Sequence, residues 1–555
     1  MLHSTWTHRL SAFLIVLSAL VGAGCRGTGP GPDAGAGFDA GSGDAGTGAQ
    51  NTGVHLLTQR NNLSRTGANL EEKLLNTTNV RTESFGKLFV RHVVGQVYAQ
   101  PLYVSGLTVG GRTRNVVYVA TEHNRVYAFD ADDPAAADPL WQVDLGTPMP
   151  TDGLACTDLI PEVGITSTPV IDLPTRTIYV VAKTLTGDVY AQHLHALDLV
   201  TGEEKLGGPV EITAKVPGLG LGTDGTDIAF RPRYQLNRPG LVLSGGQLYI
   251  AFGSHCDKGP YHGWLLAYDA ATLHQTNAFN TTPNGQQGSI WQSGQAPSVD
   301  EQGNVYVISA NGTTDLANGE RSMSILKLSP RLTVLDWFTP YNYEPLNAMD
   351  VGLGPTGVVL VPGTRLMLGG SKEGILYVLD RQRLGHYQPD SNSQILQSFK
   401  SSQEHLHGSP VPWQGPSGGF VYLWGEDDSL KAFRLEKGYV EPTPVAVGST
   451  DLPPGMPGGI LAVSSDGNRV GTGIVWASHP IGNANHATVP GVLRAYDAED
   501  ITRELWSSES NPTRDRIGNF AKFTPPTVVN GKVYMATFSD ELAVYGLLGA
   551  SPGAH

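Results

Sequence analysis

Val116-Val-Tyr-Val-Ala120 and Tyr127-Ala-Phe-Asp130 stand on either side of a short polar turn, and this pair of segments decides the fold. The first is a run of β-branched and aromatic residues. The second ends in an aromatic-Asp step, after which the chain turns again. Two strands so close in sequence pair as an antiparallel hairpin. Working outward, the same pair recurs along the chain. Counterparts of the first segment are Ile178–Ala182, Leu248–Phe252, Val305–Ser309, Leu366–Gly370, Phe420–Trp424, Ile474–Ala477 and Lys532–Ala536. Counterparts of the second are His195–Asp198, Leu266–Asp269, Leu326–Ser329, Tyr377–Asp380, Lys431–Arg434, Arg494–Asp497 and Ala543–Gly546.

An apolar strand, often led by proline, precedes each pair, and a further strand follows most of them. One such four-stranded sheet cannot bury both of its faces, so repeats of this size stack radially. The spacing predicts an all-β protein: an eight-bladed β-propeller of four-stranded antiparallel blades over residues 54–548. Phe85–Val90 has the pattern of an outer strand, like Leu140–Leu145. The last repeat, from Pro526 to Leu548, lacks one. Pairing the two is expected to close the ring and remove its exposed edges.

Composition fits this reading and narrows the function. The 69 glycines and 37 prolines suit many tight turns. A net charge of -14 excludes a nucleic-acid partner, which needs a basic footprint. The three cysteines form neither a CxxC zinc pair nor a CxxCH haem attachment. Residues 1–24 read as a signal peptide, with His3, His8 and Arg9 ahead of an apolar run from Leu10 to Val21 that is short for a bilayer span. Gly22-Ala-Gly-Cys25 is similar to a lipidation signal, with Gly22 where leucine is usual; an ordinary secretory signal with a chance cysteine is the alternative. Residues 25–53 would then be a lipidated cysteine and a flexible tether. Arg26, by resemblance to enterobacterial sorting, points to the outer membrane. Residues 549–555 are expected to be a disordered tail.

Ala196, Asp198, Thr201 and Gly202 match part of a tryptophan-docking motif, and Ala128/Asp130/Trp141 and Ala495/Asp497/Trp506 are looser copies. With the strand pattern, the chain resembles the pyrroloquinoline-quinone (PQQ) repeat superfamily of propellers, the quinoprotein alcohol dehydrogenase-like group, across roughly residues 80 to 548. Gly95–Pro101, Phe523–Pro526, Gly253–Asp257 and Pro260–Trp264 are akin to segments of a bacterial subgroup. The resemblance implies a ligand at the central mouth and, in the dehydrogenases, PQQ with calcium. Against that, the adjacent-cysteine disulfide of the alcohol-oxidising members is missing, and their calcium ligands and catalytic Asp have no counterpart at the expected spacings.

In a propeller, the loops after second strands and those leading into first strands open on one face. Here the former carry Glu122, His123, Lys183, His255, His262, Asn311, Lys372, Glu426 and His479. The latter carry Gln100, Glu162, Trp291, Gln292, His405, His407 and Lys522. These are the candidates for a ligand or cofactor mouth. His405 and His407, two apart, are candidates for a transition metal. Cys156 and Cys256 fall on that face in neighbouring blades, so a disulfide between them is expected in an oxidising compartment. Two functions compete. One is a cell-envelope ligand binder, with quinoprotein-type oxidation of an alcohol or sugar as its enzymatic form. The other is a non-catalytic protein–protein scaffold resembling the outer-membrane assembly lipoprotein propeller. Either would act as a monomer that meets the membrane only through its anchor.

Overall fold

The computed structural model describes residues 53–152 and 156–549. The signal peptide, Cys25, the tether up to Thr52 and the tail beyond Gly549 lie outside them. The architecture is the expected ring of eight antiparallel blades. In blade 1, Leu102–Val109, Arg112–Ala120, Arg125–Asp130 and Trp141–Asp144 pair in sequence order from the axis outward. The second strands Val305–Ser309, Leu366–Gly370 and Lys532–Ala536 have the ends read from the sequence. Blade 8 takes its outer strand from the other end of the chain. Phe85–His92 pairs antiparallel with Glu541–Leu547, in a register that sets Phe85 opposite Leu547 and His92 opposite Glu541.

Why the blades stack follows from strand alternation. Val117 and Val119 of the second strand face blade 8, where they pack with Tyr534, Leu542 and Val544. Val116, Tyr118 and Ala120 face blade 2 and pack with Ile178, Val180 and Leu197. The same division repeats round the ring, so the large core clusters sit at the seams between successive blades. A second-strand tyrosine ties many seams. The hydroxyls of Tyr118, Tyr179, Tyr249, Tyr422 and Tyr534 donate to the carbonyls of Leu199, Ala270, Pro330, Ala498 and Ala131, each just beyond the third strand of the next blade.

Trp141 adds a further tie. Its indole N–H donates to Leu199 O at 3.0 Å. Its ring lies against Gly202, where a Cβ would come within 2.6 Å of it and the backbone has φ +75. The docking motif read at Ala196–Gly202 thus receives its tryptophan from the preceding blade rather than from its own repeat.

One feature of the fold was not expected. Residues 54–72 read as the start of the propeller, yet they belong to no blade of their own. They run into the central channel and add hydrogen bonds to the inner strands of blades 1, 2, 4, 5, 7 and 8, through Leu56, Leu57, Leu63, Ser64, Gly67 and Glu72. Ala68–Asn69 pairs parallel with Val463–Ser464 of blade 7. The turn at the tip of this plug buries Gln59, Arg60 and Arg65. Both arginines are held by neutral oxygens and not by acids: Arg60 donates to Arg65 O and Pro410 O, Arg65 to Pro297 O, Gln59 O and the Thr58 hydroxyl.

Candidate functional site

On the mouth face, the loops of several blades enclose a cavity of about 610 Å³. Of the candidates read from the sequence, His255, Trp291, Asn311, Lys372, His407 and Lys522 line it. Tyr98, Arg238, Tyr261 and Phe523 line it as well and were not singled out. Arg238 stands in the loop leading into the first strand of blade 3, Val242–Ser244, and so obeys the rule that picked out its neighbours. Tyr98 and Phe523 adjoin segments whose polar residues, Gln100 and Lys522, drew the attention.

The other candidates do not line it. Glu122 is buried and accepts from Gly164 N–H at 2.6 Å and the Thr166 hydroxyl at 3.1 Å, holding the lead-in of blade 2. Burial pushes its carboxyl up to about 7 in spite of those bonds. Lys183 is buried beside it, donates to Arg233 O and Gln235 O, and is pushed down to about 7 by burial. His123 pairs with Glu162 at 2.8 Å, joining blades 1 and 2 outside the cavity lining. His262 bonds Thr282 Oγ1 and Leu221 O, so both ring nitrogens serve the loop. Gln292 bonds Gln295 O and Ile308 N–H. His479 is held between Arg494 Nε and Pro480 O. Gln100 accepts from Arg60 N–H and donates to Thr527, and so clamps the plug. His405, His407 and Glu426 form one cluster of their own.

The expected disulfide is present. Cys156 and Cys256 are bonded, with Cα atoms 6.0 Å apart. Cys256 lines the cavity, and His255 beside it lies 3.9 Å from Cys156 Sγ. Burial, then the nearby charge of Lys183, push His255 down to about 4, so its ring is neutral at pH 7.

Buried cations dominate the floor. Arg238 is 3% exposed, and its guanidinium lies 5.4 Å from the Tyr98 ring centre and 5.3 Å from that of Phe523. Among the described residues no acid comes within ion-pair distance of it. Lys522 is 6% exposed; its ammonium donates to Asp158 O at 2.6 Å and Asn485 O at 2.9 Å. An ammonium has three donors, so one is left for a ligand. Burial, and Arg238 nearby, push Lys522 down to about 8, against the opposing pull of Asp158. With Arg60 and Arg65 in the plug, a protein of net charge -14 thus carries a cationic column on its axis. Trp291, Phe523 and His407 form an aromatic wall, with ring centres 5.1 to 5.9 Å apart.

The calcium-held quinone of the alcohol dehydrogenases can be tested against these donors. The acids lining the cavity are already engaged: Asp158 with His486 at 2.9 Å, Asp257 with Ser254 and Tyr261, and Asp350 with Lys372 at 2.7 Å and Asn311. Calcium needs six or more free oxygens. Of the two three-residue groups that could hold a metal among the described residues, Cys156, His255 and Cys256 offer no oxygen, and His405, His407 and Glu426 offer a single carboxylate. The residues present do not fit calcium, and no redox step is derived through it.

No protein family and no curated protein matches the chain in sequence. Solved structures do match in fold. A quinohemoprotein alcohol dehydrogenase from Pseudomonas putida aligns over 90% of this chain and 82% of its own, at 14% identity and TM-score 0.56. A europium-containing methanol dehydrogenase aligns over 89% of this chain and 98% of its own, at 13% identity and TM-score 0.53. A quinohemoprotein alcohol dehydrogenase from Comamonas testosteroni aligns over 90% and 81%, at 15% identity and TM-score 0.51. Identities this low carry the fold and leave the chemistry to the site. The chain is an eight-bladed β-propeller, similar in fold to these dehydrogenases.

Proposed function

We propose that this propeller binds a small anionic ligand with a flat apolar body at its central mouth, and that it does so in the cell envelope, exported and held by a lipid on Cys25. The observation that carries the reading is the pair of buried cations, Arg238 and Lys522, on the floor of a cavity with aromatic walls, with no acid of the described residues in ion-pair distance of either. An unpaired buried charge is costly, and a bound anion offsets that cost. Backbone strain gathers at the same place. Cys256, Asp257, Gln287, Asp350 and Phe523 of the lining all have positive φ, at 56, 50, 65, 56 and 66. Such strain concentrates at ligand sites.

The quinone is itself a flat polycarboxylate and suits the rings and cations; what the site lacks is the oxygen set for its calcium. Quinoprotein-type oxidation would require the quinone to act here without that calcium. Calorimetric titration of the purified mature protein with aromatic mono- and polycarboxylates, PQQ among them with and without calcium, tests both. We expect an aromatic polycarboxylate to bind without calcium. Lys522→Met is expected to weaken it about 10- to 100-fold, the worth of one charge-assisted hydrogen bond. Dye-linked oxidation of alcohols or sugars by the reconstituted protein would restore the enzymatic reading. If no anion binds, or if Lys522→Met binds as well as the parent, the pocket reading fails and the scaffold reading takes its place.

The pH dependence has a definite sign. Lys522 is charged below about 8 and neutral above it. Anion affinity is expected to be flat below that pH and to fall above it, by a step missing in Lys522→Met. For stability the sign is opposite. Between about 8 and the ordinary lysine value of 10.5 the unfolded chain holds the proton that the folded chain has lost. This residue's contribution to stability therefore rises with pH across that window.

A further inference from the structure

His405 and His407 lie in the loop leading into the first strand of blade 6, Val411–Gly415, and Glu426 in the hairpin after its second strand, Gly418–Leu423. The two loops are pinned together by the Glu426 N–H donating to His405 O at 3.0 Å. Three side-chain atoms then converge. His407 Nε2 is 3.0 Å from Glu426 Oε1, and His405 Nδ1 is 3.9 Å from Glu426 Oε2. All three residues offer ligand atoms within 4.8 Å of one another. None of the buried atoms His405 Nδ1, His407 Nε2 and Glu426 Oε1 makes a hydrogen bond. The short His407–Glu426 approach has the distance of a hydrogen bond without its geometry.

His407 is 1% exposed and Glu426 8%, so water does not readily replace the missing partners. Leaving such atoms unpaired costs on the order of 1–3 kcal/mol each. A cation among the three atoms satisfies all of them at once.

We propose that His405, His407 and Glu426 hold one divalent transition-metal ion of the zinc class. Two imidazoles and a carboxylate are the donors that zinc, cobalt and nickel take, whereas calcium and magnesium want oxygens alone. The observed separations approach those of tetrahedral ligands about 2 Å from a common centre. The Ser293 hydroxyl, 3.3 Å from His407 Nδ1, is placed to orient the ring from behind. Three protein donors leave a fourth position for water or for a donor of the cavity's ligand, since His407 lines that cavity. The proposal stands on the cluster alone and not on the anion reading.

The test uses the mature protein, stripped with a chelator and kept under non-reducing conditions so that Cys156 and Cys256 stay bonded. Cobalt(II) is titrated in as an optical probe, and zinc is counted by elemental analysis. The expected result is one ion per chain with the intense visible bands of four-coordinate cobalt. Affinity should drop in His405→Ala and Glu426→Gln by more than the roughly 10- to 100-fold that losing an outer-shell partner costs. His405 is the more exposed imidazole, so its variant keeps the fold even if a substitution at His407 does not. Absence of tetrahedral cobalt bands, or equal binding by parent and both variants, overturns the proposal.

Discussion

Phe85→Ala is expected to cost about 3–5 kcal/mol of folding stability, the range for a buried phenylalanine. The side chain is 0% exposed and lies between two tryptophans, 5.4 Å from Trp476 and 5.1 Å from Trp506 between ring centres. It is the first residue of the strand that closes blade 8, and both tryptophans belong to blade 7. The substitution therefore leaves a hole in the closing seam itself. The same change on the surface should do little: Val94→Ala, at a residue 44% exposed, is the control. Urea midpoints for the two variants check this. Two similar midpoints would mean that the closing strand adds little to the ring. A chain cut after Ser539 removes Glu541–Leu547, the partner of the closing strand, and should expose the edges of two strands and aggregate.

The second large effect is expected from Cys156→Ser. The bond joins residues 100 apart in sequence. Closing a loop of that length restrains the unfolded chain by roughly 4–5 kcal/mol in the chain-entropy account. Its Cα separation of 6.0 Å lies within the ordinary range, so the folded state accommodates it. Thermal unfolding with and without reductant checks this. The parent should lose stability on reduction to the level of the variant, and reductant should leave the variant unchanged. If reduction does not alter the parent, the bond contributes nothing in solution. Because Cys256 lines the cavity, the variant should also bind the anion more weakly, through a loosened wall rather than a lost contact.

What the sequence disclosed follows from what leaves a periodic trace. Strands that pack on both faces must be apolar at nearly every position, which is why Val116–Ala120 and its counterparts could be read with their ends nearly right. The closing strand was legible by subtraction, since Phe85–Val90 had an outer strand's pattern and the last repeat lacked one. The disulfide was legible because the blade count put two cysteines on one face. The plug was not. Its residues bond through backbone atoms and through Gln59, Arg60 and Arg65, and irregular backbone has no period to detect. At the site, the rule for mouth loops found Lys522, Trp291 and His407 and would have found Arg238 had it been applied to blade 3. It could not separate residues that reach the cavity from those turned into their own loops, such as His262 and Gln292. That difference is one of side-chain direction. Glu426, read only as a mouth residue, is the third corner of the histidine cluster for the same reason.

The plug bears on the order in which the molecule can be assembled. Asn69 bonds Val528 and Glu72 bonds Gly531, each across 459 positions of chain. The plug therefore has no lasting place until nearly the last blade exists. Contacts of such span are won late and slowly. During synthesis this early segment must wait, polar and unpaired, while the circle it will occupy is built behind it. Pulsed hydrogen exchange during refolding should show Leu56 and Val463 amides gaining protection after those of the blade hairpins.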